Sequence, residues 1–127
     1  MKDTEKVTPY TEKGEIDKVI NILKNYSFDE LIKIKYYKDS LDEKNTDESQ
    51  LRNIYPEFER IKLILYRERD NKKNNYDIFY ELDDGQSVLL ALDIEKTPPL
   101  LVNGYPCYKN LKKFIQQILK KYRKNMI

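Results

Sequence analysis

Histidine is absent from the 127 residues. With it go the ordinary general base at neutral pH, the Ser-His and Cys-His nucleophile pairs and the commonest metal ligand. The one cysteine, Cys107, stands between Pro106 and Tyr108 with Lys109 two residues on. A nearby cation favours the thiolate, but a solitary cysteine of this kind reads first as a small buried hydrophobe. Gly14, Gly85 and Gly104 are the only glycines, too far apart to form a phosphate-binding loop. Carboxylates remain. Asp77, Glu81 and Asp93 fall on one face of a predicted sheet, and a hard cation such as Mg²⁺ takes oxygen ligands of this type. A metal-dependent hydrolase is therefore a remote alternative. The spacing follows no nuclease signature, so no catalytic residue, metal or cofactor is assigned, and a non-enzyme is expected.

Cationic chemistry gathers at the end of the chain. All 22 acidic residues precede Lys96, alongside 16 basic ones, while residues 96–127 hold eight basic side chains and no acid. The formal net charge of +2 thus conceals an acidic body and a basic tail, an asymmetry that bears on partners rather than on fold. Lys109, Lys112, Lys113, Lys120, Arg123 and Lys124 lie on one side of a predicted helix. Leu111, Phe114, Ile115, Ile118, Leu119 and Tyr122 form a continuous stripe on the other. Such a cationic row suits phosphates, with Tyr105, Tyr108 and Tyr122 available to stack on bases. It suits an acidic protein or an anionic membrane surface as well. One Arg among eight cations argues against sequence-specific readout, which relies on the bidentate guanidinium.

The element that must position these groups is a meander from Phe58 to Ile94. Tyr76, Ile78, Tyr80 and Leu82 alternate with polar residues, as do Val88, Leu90, Leu92 and Ile94, the period of a half-buried strand. A two-residue turn at Asp84-Gly85 would set Glu81 among the apolar set. A three-residue Asp83-Asp84-Gly85 bend instead pairs Tyr80 with Val88, Ile78 with Leu90 and Tyr76 with Leu92, with Gly85 free to take a left-handed conformation. In this register Asp77, Phe79, Glu81, Leu89 and Asp93 share the opposite face. By parity Ile64 and Tyr66 of the preceding strand join them. A face that met only water would not need an apolar centre. Either a helix of the same chain covers it or a partner does.

Around the meander, residues 1–14 lack periodicity and read as a flexible tail, with residues 15–127 forming a single domain. Ile16, Val19, Ile20 and Leu23 have helical spacing. Ser27 and Glu30 have the spacing of a capping box, opening a short helix that passes into a strand over Ile32–Lys38. Leu41–Ser49 reads as a loop and Ser49–Ile54 as a helical turn. Leu100–Val102 reads as a short strand ended by an Asn103-Gly104 turn. The expected class is α+β: a three- or four-stranded antiparallel meander, one or two N-terminal helices and a long basic amphipathic C-terminal helix packed on the sheet. Eleven Tyr, one Ala and abundant Lys, Asn and Ile form the bias of an AT-rich coding sequence. No apolar run approaches the roughly 20 residues of a membrane span, Met1–Gly14 has no signal-like core, and a lone cysteine fits a reducing compartment, so a cytoplasmic protein is expected.

The functional expectation is a small non-catalytic protein-protein interaction module, of the kind found as inhibitor, immunity or accessory proteins of phages, viruses or mobile elements. Its contact surface would be Ile64, Tyr66, Phe79 and Leu89, with Asp77, Glu81 and Asp93 conferring specificity. The alternative is a nucleic-acid binder using the basic helix.

Overall fold

The computed structural model describes residues 5–69 and 74–123, with side chains described to Tyr122. Its centre is the expected meander of β3 (Ile61–Arg69), β4 (Asn75–Glu81) and β5 (Ser87–Asp93). Tyr80 faces Val88, Ile78 faces Leu90 and Tyr76 faces Leu92. The bend closes as three residues: the Leu82 N–H donates to the Gln86 carbonyl at 2.8 Å and the Gly85 N–H to the Leu82 carbonyl at 3.0 Å. Gly85 has φ +86°, which a Cβ would oppose.

The sheet has six strands, not three or four, in the order β1-β3-β4-β5-β6-β2. Residues 5–10, read as part of a flexible tail, form β1 (Glu5–Tyr10), antiparallel to β3. Only Val7 and Tyr10 give it apolar anchors, one in each core, so no alternation betrays it. Pro9 is tolerated because an edge strand has no partner for the missing N–H. The Asn103-Gly104 pair does not turn the chain either, for β6 runs on from Leu100 to Cys107 against β5. The expected strand over Ile32–Lys38 shrinks to β2 (Ile32–Lys33), parallel to the start of β6. From Lys35 the chain is helical, α2 (Lys35–Glu43), across part of the expected loop. The buried stripe of α2 is Tyr37 and the polar Ser40, with Leu41 half-buried, too narrow to announce a helix. Asn45, at φ +51°, ends it in the left-handed conformation that Asn accepts at helix C-termini.

One irregularity decides which residues share a face. Ile61 faces Tyr80 while Leu63 faces Phe79, so Lys62 is a surplus residue, a β-bulge in β3. Beyond it the parity is reversed. Ile64 faces Ile78 and Tyr66 faces Tyr76. Both therefore belong to the core side of the meander and not with Phe79 and Leu89, and the expected grouping is corrected. Leu63 and Leu65 take their place.

The core side is covered by α1 (Lys13–Leu23), α2 and α3 (Glu48–Ile54). Ile16, Val19 and Leu23 of α1, Tyr37 of α2 and Leu51 and Ile54 of α3 pack with Ile64, Ile78, Tyr80 and Leu90. The buried tyrosines reconcile an apolar interior with polar helix ends. Tyr55 donates to the Leu23 carbonyl at 2.8 Å at the end of α1, and Tyr80 donates to the Tyr55 carbonyl at 2.8 Å at the end of α3. Helix-end carbonyls lacking an intrahelical partner are satisfied in this way. Among the described residues, the apolar cluster on the other face takes its helical members from α4 (Leu111–Arg123).

Gly104 is in β6 for its lack of a side chain. A Cβ there would lie 2.8 Å from Leu51 Cδ1 and 3.1 Å from Leu90 Cδ2, both on fully buried leucines. Gly104→Ala is expected to lower unfolding stability by about 1–3 kcal/mol, the usual cost of overpacking a core. Urea denaturation of the two proteins measures it, and an unchanged midpoint would refute the assigned packing.

Candidate functional site

The start of α4 is fixed by three contacts. The Leu111 N–H donates to the Gly85 carbonyl at 2.8 Å, and Asn110 Oδ1 caps the helix by accepting from the Lys113 N–H at 3.0 Å. Leu111 itself is buried, and the Phe114 ring lies 5.4 Å from that of Phe79. From this anchor the helix runs toward β1, over Leu63, Leu65 and Val7. Phe114, Ile115, Ile118, Leu119 and Tyr122 are only half-buried. The helix therefore roofs one flank of the sheet and leaves a trough over β5 and β6.

The trough has a cavity of about 350 Å³ whose floor and walls include Phe79, Leu89, Tyr105, Cys107, Leu111 and Phe114. A second hollow of about 480 Å³ continues it past Arg67 and Asp77 to Ala91, Asn103 and Tyr36. Apolar and aromatic side chains with a few convergent polar groups are the usual make-up of a binding site.

The polar groups in the floor are already engaged. Arg67 Nε pairs with Asp77 Oδ2 at 2.5 Å, and Asn75 Nδ2 donates to Asp77 Oδ1 at 2.7 Å. Arg67 Nη1 also reaches Glu5 Oε1 at 2.7 Å, and Arg69 Nε reaches Glu5 Oε2 at 3.1 Å. The chain Asp77–Arg67–Glu5–Arg69 thus ties β4, β3 and β1 together. Burial raises the Asp77 carboxyl above its ordinary value against the opposing pull of Arg67. For Glu5 burial also pushes upward, but the hydrogen bonds from Arg69 and Arg67 prevail and hold it below the ordinary value. Burial likewise pushes up the Cys107 thiol, a shift that Ser87, Lys109 and Lys44 only partly offset.

Of the residues singled out in the sequence, Asp77, Phe79 and Leu89 meet at the trough. Phe79 and Leu89 are each only 6% exposed, covered by the chain's own α4 and the side chains around them. Glu81 and Asp93 are half-buried on the same face, but Glu81 faces Ser87 beside the bend and Asp93 faces Leu100 at the far end. Asp77 and Glu81, four residues apart on one strand, are about 13 Å apart at ~3.3 Å per residue, so one cation could not hold both. Among the described residues no three His, Cys, Asp or Glu side chains are gathered to hold a metal. Ile64 and Tyr66 lie on the other face, where Tyr66 stacks on Tyr76 with centroids 4.4 Å apart.

Lys109, Lys112, Lys113 and Lys120 are exposed and make no ion pair with a described residue. Arg123 is the last residue of α4, and its side chain lies outside the described residues, as does all of Lys124. Sequence reasoning missed Arg67, hidden in a run of charges, and Lys44, and it named Tyr105 only as a ring to stack on bases. The Lys44 Nζ sits 3.6 Å from the Tyr105 ring centroid and the Lys109 Nζ 5.5 Å from that of Phe114.

The two acids of the charge chain should respond oppositely to pH. Asp77 binds its proton more tightly folded than unfolded, so its contribution falls as pH rises from the unfolded carboxylate range through its folded pKa. Glu5, with its folded pKa depressed, loses its contribution as pH falls through that pKa. Urea denaturation between pH 3 and 7 is expected to show the stability difference between wild type and Asp77→Asn declining with pH. The difference from Glu5→Gln is expected to rise. Slopes of one sign would contradict the assignment.

No family model, no curated protein and no solved structure matches this chain. No helix among the described residues is long and apolar enough to cross a membrane.

Proposed function

We propose that this chain is a small non-catalytic protein-protein interaction module and that it docks its partner in the trough beside α4. The observation that carries the reading is the asymmetry of cover. Three helices pack on one face of the sheet, while on the other α4 covers Phe79 and Leu89 but leaves Tyr105 and Phe114 half-buried beside a hollow. Tyr and Phe in a concave setting are residue types that concentrate binding energy at interfaces. Asp77 and Arg67 satisfy each other, so the floor presents little uncompensated charge. The narrower identity, an inhibitor, immunity or accessory protein of a phage, virus or mobile element, rests on size and composition.

Selection of a phage-displayed random peptide library on the immobilised full chain tests the location. Tyr108 lines the trough and is 77% exposed, so Tyr108→Ala should leave the fold intact. Selected peptides are expected to bind Tyr108→Ala about tenfold more weakly, the equivalent of 1.4 kcal/mol. Ile22→Ala, on α1 and remote from the trough, should change nothing. Binders indifferent to Tyr108, or an unenriched library, would defeat the reading.

The second reading, a nucleic-acid binder, is favoured by the lysines of α4, which are exposed and make no ion pair with a described residue. Labelled single- and double-stranded DNA and RNA should then bind at low salt and be released steeply as salt rises. Absence of binding at low salt ends that reading.

A further inference from the structure

Resting on the trough as the docking site, we propose that its occupant is an extended acidic segment of a partner protein carrying a large apolar side chain. The apolar group would seat between Tyr105 and Phe114, and the carboxylates would meet Lys44 and Lys109.

Four observations lead there. First, Lys44 and Lys109 are exposed and unpaired among the described residues, and each leans on an aromatic ring of the trough, Lys44 on Tyr105 and Lys109 on Phe114. Second, the two ring contacts belong to one hollow, since Tyr105 and Phe114 both line it. Third, the one acid lining the 350 Å³ hollow, Asp77, is already bonded by Arg67 and Asn75. The lining of that hollow is therefore net positive, through Lys109, over a floor that is apolar or internally neutralised. An ammonium on an aromatic face gains about 0.5–1 kcal/mol at an exposed site, and a carboxylate arriving beside it need not displace it from the ring. Fourth, the hollow is elongated. From Cys107 to Asn103 along β6 it follows four residues, about 13 Å of strand at ~3.3 Å each, and it continues to Tyr36, which is 61% exposed. That is room for a strand-like segment of a protein.

The segment must lie on the face of the sheet and not extend its edge. Pro106 has no N–H to offer an added strand, and the Gly104 N–H is taken by Asn103 Oδ1 at 2.9 Å. The start of β6 is occupied by β2. Strand addition needs a free row of such groups, and here it is interrupted. A peptide entering the trough has side-chain contacts to gain instead, which places selectivity in its charge and its apolar anchor.

The composition of the peptides selected from the random library reads the inference directly. On wild type the enriched pool is expected to be net acidic with a recurrent Phe, Tyr, Trp or Leu. On the Lys44→Glu/Lys109→Glu double variant that acidic bias should vanish or reverse. Both lysines are exposed and make no ion pair with a described residue, so the variant loses only the two ring contacts and should stay folded, melting slightly below wild type. A labelled peptide from the acidic pool, followed by fluorescence anisotropy, should lose at least about tenfold in affinity on the double variant. Its affinity should also weaken as NaCl rises, through screening of the rim charges. A neutral or basic pool, or an acidic pool indifferent to the two lysines, overturns the inference. So does displacement of the peptide by an oligothymidylate at equal concentration, which would make the lysines a phosphate surface. If binders depend on Tyr108 but are not acidic, the inference fails and the docking site stands. If none depends on Tyr108, both fail.

Discussion

A single surplus residue in β3 governs how this sheet is used. With Lys62 bulged out, Ile61 and Ile64 both turn toward α1, α2 and α3, and Leu63 and Leu65 turn the other way. In a regular strand Ile61 and Ile64 would face opposite sides. The bulge concentrates the first core under three helices and still supplies the second face with two leucines for α4 to cover. A sheet apolar on both faces needs two covers, and this one has three helices on one face and a single helix on the other.

The single-helix cover follows from the same bend that sets the strand register. The Gly85 carbonyl receives the Leu111 N–H, so the three-residue turn between β4 and β5 also fixes where α4 begins. A side chain on Gly85 would both oppose its φ of +86° and press on Asn110 Nδ2, 3.3 Å from the Cβ position. With its first turn pinned beside β5 and its body directed to β1, the helix cannot also roof β6. The trough is the geometric remainder.

What could be read from residue order and what could not divide along physical lines. The β4–β5 register was legible because only one loop length keeps Glu81 out of the core, and α4 because six apolar residues fall in one stripe. The apolar pair Phe79 and Leu89 correctly signalled a second face in need of cover. β1 was illegible because an edge strand of six residues needs no alternation and tolerates Pro9. β6 was cut short because Asn103-Gly104 has the composition of a turn, although Gly104 serves close packing against Leu51 and Leu90. The site suffered most from the bulge. Extending the parity of β3 across Lys62 assigned Ile64 and Tyr66 to the wrong face and hid Leu63, Leu65 and Arg67. Lys44, from the end of α2, reaches Tyr105 only through the tertiary fold, and nothing local announces it.

The electrostatics of the second face separate affinity from steering. A carboxylate as buried as Asp77 is costly unless paired, and breaking such a pair costs more than never having made it. Arg67 and Asn75 supply the pairing, and Glu5 and Arg69 extend it to the sheet edge, so the floor contributes little net field despite its charges. The lysines of the rim remain in water, where their field reaches about a Debye length, ~8 Å at physiological ionic strength. An approaching partner would sense the rim before it touches the floor, and would gain most of its binding energy only after Tyr105 and Phe114 are desolvated. On the proposed reading charge would select the partner and apolar area would hold it, a division that needs the buried acid to be neutralised from within the sheet.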